Sequence, residues 1–154
     1  MGVKVAFSDD FGTIDVQDEQ KNIVSYDPAD IVGFNGNNYL EEFQGQATKY
    51  IKWSTIYQYQ KRVLAFQNSK LEAIHAEVYN RAMAQLMEGA KRPTKDALEA
   101  TILLNSDYQK QLEIVQTQDY KVGVLQSLVK ALEQRKDMLI QYGAEMRKDR
   151  VNGN

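Results

Sequence analysis

Cysteine is absent from the 154 residues, so disulfides, thiolate nucleophiles and cysteine-based zinc sites are excluded, and the chain fits a reducing compartment. Proline and glycine are scarce, at two and nine residues, which leaves room for long uninterrupted elements. Apolar residues make up 43% and charged residues 26%, the balance of a globular protein rather than a disordered one. No apolar run approaches the roughly 18 residues that mark a membrane-spanning helix. Met1 to Phe7 runs straight into Asp9-Asp10 with no apolar segment of signal-peptide length. These absences lead us to expect a cytoplasmic chain with no membrane partner.

Sites for chemistry are equally sparse. His75 is the one histidine, and with no second His or Cys to share a metal it reads as a core or interface histidine. The paired acids Asp9-Asp10 and Glu41-Glu42 are adjacent, a spacing that sends side chains to different helix faces or into solvent. Gly33-Phe34-Asn35-Gly36 lacks the following Lys-Ser/Thr of a phosphate-binding loop. Nucleophile-elbow and zinc-deaminase spacings are missing too. A non-enzymatic protein without cofactor or metal is the expectation.

What is present begins with a charge asymmetry. Asp9, Asp10, Asp15, Asp18, Glu19, Asp27 and Asp30 against Lys4 and Lys21 leave residues 1–38 at −5, whereas the remaining 116 residues carry +3. The acidic head has short apolar pieces, Val3 to Phe7, Phe11 to Val16 and Ile23 to Tyr26, with no helical period, and predicts short strands or an irregular arm. Asn35-Gly36 lies in a turn cluster that marks the boundary between an arm (1–38) and a helical domain (39–150).

Asn38 reads as an N-cap, and apolar periodicity starts at once. Leu40, Phe43, Ala47, Tyr50, Tyr57, Leu64, Leu71, Val78 and Ala82 follow steps of three and four, with Ser54, Lys61, Asn68 and His75 at intervening stripe positions, and predict a helix over 39–87. Gly89 and Pro93 end it, and Thr94 caps a short helix from Asp96 to Leu104. Ser106 with Gln109 forms a capping box for a second long helix, striped by Tyr108, Leu112, Val115, Val122, Leu125, Val129, Leu132, Leu139, Tyr142 and Met146, with a frayed tail after Lys148. The fold class is therefore mainly α: two long amphipathic helices joined by a loop and a short helix. Ile51, Val63, Ile74 and Leu86 widen the stripe beyond what one partner helix covers, so a homo-oligomer is expected, with Leu64, Leu71, Val78, Leu112, Val115, Val122, Val129, Leu132 and Leu139 at its interface. Gly123 and Gly143 mark close helix approach or a local break.

Basic and aromatic residues interleave in Lys49-Tyr50-Ile51-Lys52-Trp53, followed by Tyr57, Tyr59, Lys61 and Arg62. Single-strand binders work this way, with cations on phosphates and aromatic faces on bases. Tyr50 and Tyr57 fall on the stripe and read as core, whereas Trp53 and Tyr59 lie off it. A second basic run, Lys91-Arg92-Pro93-Thr94-Lys95, occupies the connection between the helices, with Lys70 and Arg81 towards the same end. Repeated around an oligomer, such a weak patch becomes strong through multivalency.

The layout, with Tyr50-Ile51-Lys52-Trp53 in the first helix, Ala131-Leu132-Glu133-Gln134-Arg135-Lys136-Asp137-Met138-Leu139-Ile140 late in the last and Met146-Arg147-Lys148 near its close, resembles the UvsY-type recombination mediators of tailed phages over residues 39–150. The resemblance implies a helical homo-oligomer in the cytoplasm of an infected bacterium. Such a protein binds single-stranded DNA and helps a RecA-like recombinase replace single-strand-binding protein. The family's lysine-rich later first helix has no counterpart here, since Leu71 to Val78 contains neither Lys nor Arg. DNA contacts would then rest on Lys61, Arg62, Lys70, Arg81, Lys91, Arg92 and Lys95, with Lys52 and Trp53 beside them. The alternative is a structural or adaptor coiled-coil protein of a virion or its assembly, in which the same stripes only build an oligomer.

Overall fold

A computed structural model describes residues 4–7, 13–89 and 91–153. Three strands, β1 (Lys4–Phe7), β2 (Ile14–Gln17) and β3 (Ile23–Tyr26), form an antiparallel meander in the order β1-β2-β3. Helix α1 (Pro28–Val32), a single 3₁₀ turn (Gly36–Asn38), α2 (Tyr39–Met87), α3 (Lys95–Leu104) and α4 (Ser106–Asn152) follow. The chain is mainly α, and both long helices and the short one between them stand where periodicity put them. Among the described residues no helix is long and apolar enough to cross a membrane.

Helix α1 was not foreseen. Pro28 supplies the fixed φ of a first helical residue, and the Asp27 carboxylate accepts the Ala29 N–H at 2.8 Å, so five residues suffice for a turn. The cap expected at Asn38 lies earlier: the Asn35 side chain accepts the Asn37 N–H at 3.0 Å, and the 3₁₀ turn runs directly into α2. Likewise Asn105, not Ser106, caps α4, its Oδ1 accepting the N–H groups of Asp107 and Tyr108 at 3.0 Å each. Gln109 turns its amide to the Leu103 carbonyl at 2.9 Å and closes no capping box. The tail beyond Lys148 continues helical to Asn152.

The compact units do not divide at residue 38. One comprises residues 1–59 with 121–154, and the other 60–120. In the first unit the meander buries one face. Val5 stands opposite Val16, and Ile14 opposite Tyr26. These four side chains join Ile31, Trp53, Ile56, Leu125, Leu128, Val129 and Leu132 in one core. The strands and α1 are thus bound into the helical framework by hydrophobic burial, each buried aliphatic side chain contributing about 1.5–3 kcal/mol. Here α2 and α4 run antiparallel, since Gln46 Nε2 donates to the Leu132 carbonyl at 2.7 Å while Tyr39 lies against Gly143. A Cβ on Gly143 would fall 2.1 Å from the Tyr39 hydroxyl, so close approach accounts for this glycine; nothing lies within 4 Å of the same position on Gly123, which the packing leaves unexplained. Buried Arg135 reaches three acceptors, the Gly33 carbonyl after α1 (3.3 Å), Gln46 Oε1 and Glu42 Oε2 on α2.

In the second unit some of the inward positions are polar. Gln118 Nε2 donates to both the carbonyl (3.0 Å) and Oε1 (2.8 Å) of Gln60, and Gln111 Nε2 makes the same two bonds to Gln67 at the same distances. The pairs are one heptad apart on each helix, so each fixes the other's register. Val78, Ala82, Leu98 and Ile102 are buried in this unit, and Thr94 caps α3 by accepting the Ala97 N–H at 3.2 Å. Gln118→Leu should therefore cost about 1–3 kcal/mol by taking the amide away from the buried Gln60 Oε1, whereas Gln60→Leu with Gln118→Leu should recover most of that loss. Urea unfolding of the two singles and the double checks this; a double variant as unstable as the summed singles would show that the amide pair is not the coupled element.

These glutamines also correct the stripe. Gln46, Trp53, Gln60 and Gln67 turn inward, one residue ahead of the expected Ala47, Ser54, Lys61 and Asn68, and Leu40 is 71% exposed. Glutamine amides can enter because partner carbonyls satisfy them. Of the expected oligomer-interface residues, Val78, Val122, Val129, Leu132 and Leu139 are buried within the chain, and Leu64, Leu71, Leu112 and Val115 are half-buried. Leu40, Phe43 and Ile51 are apolar residues of α2 left exposed.

Candidate nucleic-acid interface

The expected cations fall into two sets with different surroundings. In the first unit, the aromatic and basic run of α2 fastens the N-terminal elements. Lys52 Nζ donates to the Tyr26 hydroxyl at 2.5 Å and lies 4.3 Å from the centroid of that ring. Lys49 Nζ donates to the Ile31 carbonyl at 3.5 Å, and Tyr50 donates to Glu133 at 3.1 Å. Trp53, expected off the stripe and open for stacking, is 2% exposed, and Tyr26 meets it edge-on with centroids 5.1 Å apart. No base can stack on a ring enclosed in that way. The reason is the shifted stripe, which turns position 53 inward with Gln46 and Gln60.

In the second unit the cations are accessible. Arg62 and Lys70 are exposed on α2, and between them, four residues from each, stands Phe66, 58% exposed, with Lys70 Nζ 4.8 Å from its ring centroid. A four-residue step keeps all three on one face of the helix. Lys61 is exposed on the same helix, and Lys91, Arg92 and Lys95 are exposed in and after the connection that precedes α3. Arg81 is committed to Glu77, four residues earlier, at 2.8 Å. Bases and acids balance across residues 60–120, so this unit has no net field to draw in an anion, and its affinity for phosphate must come from the local row.

Phe66 escaped the sequence reading, although its spacing from Arg62 and Lys70 was a usable signal. Arg147 and Arg150 escaped it too. In the first unit they line, with the opening turn of α2, a cleft of about 540 Å³ whose wall also contains Glu41, so the positive charge there is partly offset. His75 is half-buried with its ring 6.1 Å from that of Tyr108, in keeping with a packed histidine. Asp9 and Asp10 lie outside the described residues. Among the described residues no group of three or more His, Asp or Glu side chains is placed to hold a metal ion. The chain matches no protein-family model, and comparison with curated proteins and with solved structures finds no match either.

Proposed function

We propose that this chain is a recombination mediator: a non-enzymatic homo-oligomer that binds single-stranded DNA and helps a RecA-like recombinase take the place of single-strand-binding protein. The observation that carries the reading is the exposed row Arg62, Phe66 and Lys70 on one face of α2, where two cations flank an accessible ring. Cations on the phosphates and a ring against a base form the two-part grip of sequence-tolerant single-strand binding. Lys91, Arg92 and Lys95 extend the supply of exposed cations, and the resemblance of residues 39–150 to UvsY-type mediators supplies the recombination context. Because residues 60–120 are electrically neutral, useful affinity depends on several copies engaging one strand.

Fluorescence anisotropy with a labelled oligothymidylate across a salt series tests this. Binding should weaken with a log-log slope of about −0.7 per phosphate contacted, and Arg62→Ala with Lys70→Ala should weaken it for any sequence without changing the oligomer's mass by light scattering. An absence of binding at about 50 mM salt would overturn the proposal. A second reading, a structural or adaptor protein, is favoured by the exposed Leu40, Phe43, Leu103 and Leu104. It is the reading left by a stable oligomer with no affinity for the oligonucleotide.

A further inference from the structure

We infer that the outer edge of β3 receives an extended, lysine- or arginine-rich segment of a partner protein as a fourth strand. The inference concerns the first unit and does not depend on DNA binding by the second.

The backbone opens that edge. The Asp18 N–H donates to the Asn22 carbonyl at 3.0 Å, which makes Asp18 and Asn22 a hydrogen-bonded pair at the turn end of the β2-β3 ladder. Bonded and non-bonded pairs alternate along antiparallel strands. The next bonded pairs are Val16 with Val24 and Ile14 with Tyr26, so Ile23 and Ser25 turn their N–H and C=O groups away from β2. With the order β1-β2-β3, no described strand lies on that side. Ile23 is 64% and Val24 49% exposed, an apolar β-branched pair on a four-residue edge strand that itself contains neither the lysine nor the proline that often protects such an edge. The opposite edge, β1, carries the exposed Lys4.

Charge selects the occupant. From residue 13 to residue 30 the chain carries the carboxylates of Asp15, Asp18, Glu19, Asp27 and Asp30 against Lys21 alone. Asp18 accepts both the backbone N–H (2.8 Å) and the side-chain amide (3.1 Å) of Asn22, bonds that hold its pKa below the ordinary value and keep it charged. Of the other lysines near the strand, Lys52 is engaged at the Tyr26 ring and Lys49 at the Ile31 carbonyl, so Lys21, exposed in the turn before β3, is the one cation in this stretch set against these carboxylates. A second copy pairing antiparallel through β3 would bring two net-negative segments together, with Asp18 set against the other copy's Asp30 and only Lys21 to offset the carboxylates, and a nucleic acid would meet the same net repulsion. A basic strand meets neither obstacle: its backbone bonds Ile23 and Ser25, and its cations face the flanking carboxylates.

The test uses the full chain, isotopically labelled, titrated by NMR with a blocked hexapeptide of alternating lysine and valine, and with its glutamate-valine counterpart. The lysine peptide should shift the Ile23 and Ser25 amides saturably and slow their hydrogen exchange; the glutamate peptide should not. N-methylation of one alternate set of peptide nitrogens should abolish the effect and methylation of the other should leave it. Ser25→Pro, which removes an outward N–H, should weaken binding about tenfold, while Ser25→Ala should not. The proposal is overturned if the β3 amides do not respond, if both peptides bind alike, or if both methylated sets bind alike. It is also overturned if the β3 amides shift with protein concentration alone, the mark of self-pairing.

Discussion

Arg135→Ala should lower the unfolding free energy by about 3–5 kcal/mol, a large fraction of the roughly 5–15 kcal/mol that stabilises an ordinary domain. The guanidinium is buried and divides its N–H groups among the carbonyl of Gly33, Oε1 of Gln46 and the carboxylate of Glu42, so one side chain on α4 ties down the segment after α1 and two successive turns of α2. Truncation leaves three acceptors facing a cavity, and the Glu42 carboxylate without its counter-charge. Lysine is no substitute, because a single ammonium on a flexible stem cannot reproduce a planar fork aimed in three directions; Arg135→Lys should recover less than half of the loss. The cost lies in breaking the pair rather than in lacking it, so Arg135→Met combined with Glu42→Leu should be markedly more stable than Arg135→Ala. Urea unfolding followed by circular dichroism decides the matter. A loss below about 1 kcal/mol for Arg135→Ala would mean that water replaces the guanidinium at little cost and that the network does not hold the unit together.

Arg135 also shows where sequence reading stopped. Helix type and extent were legible because two helices approaching fifty residues leave many turns over which a three-four period can accumulate, and because Gly89, Pro93 and Thr94 punctuate them. Strand character in the head was legible from short apolar pieces without helical period. One line of the α2 stripe, Tyr50, Tyr57, Leu64, Leu71 and Val78, does turn inward as expected, but the phase of the alternate line through Ala47, Ser54, Lys61 and Asn68 was not legible. Its inward line runs Gln46, Trp53, Gln60, Gln67, and glutamine carries no hydrophobic signal. Only the partner helix, by presenting the carbonyl of Leu132 to Gln46 and a second amide to each of Gln60 and Gln67, makes those positions interior. An error of one residue in phase rotates a helix by about 100°, enough to move Trp53 from core to surface in the reading. The candidate cations survived that error better, since a lysine or arginine stays exposed over a wide arc, and Arg62, Lys70, Lys91, Arg92 and Lys95 are all exposed. Arg135, named in the sequence only within the stretch Ala131 to Ile140 late in the last helix, could be placed inside only once Glu42 and Gln46 were known to face it.

The corrected place of Trp53 yields the second large effect. Trp53→Ala should cost about 3–5 kcal/mol, since it empties the volume on which the meander, α1 and both long helices converge in the first unit. Trp53→Phe, which keeps an aromatic ring against Tyr26, should cost distinctly less. This is the only tryptophan in the chain, so its emission reports on that core without ambiguity. The folded protein should emit at short wavelength, resist quenching by iodide, and change neither property when oligothymidylate is added. A ring used for stacking would behave oppositely on every count: red-shifted and quenchable when free, protected when DNA binds. Stability and emission therefore separate two roles that affinity measurements alone would confuse, because Trp53→Ala could weaken DNA binding merely by loosening the fold. Phe66→Ala supplies the contrast. With its ring exposed beside Lys70, that substitution should leave unfolding nearly unchanged while lowering affinity if the proposed single-strand binding holds, which would move the stacking role that the sequence suggested for Trp53 to the residue thirteen positions further along the same helix.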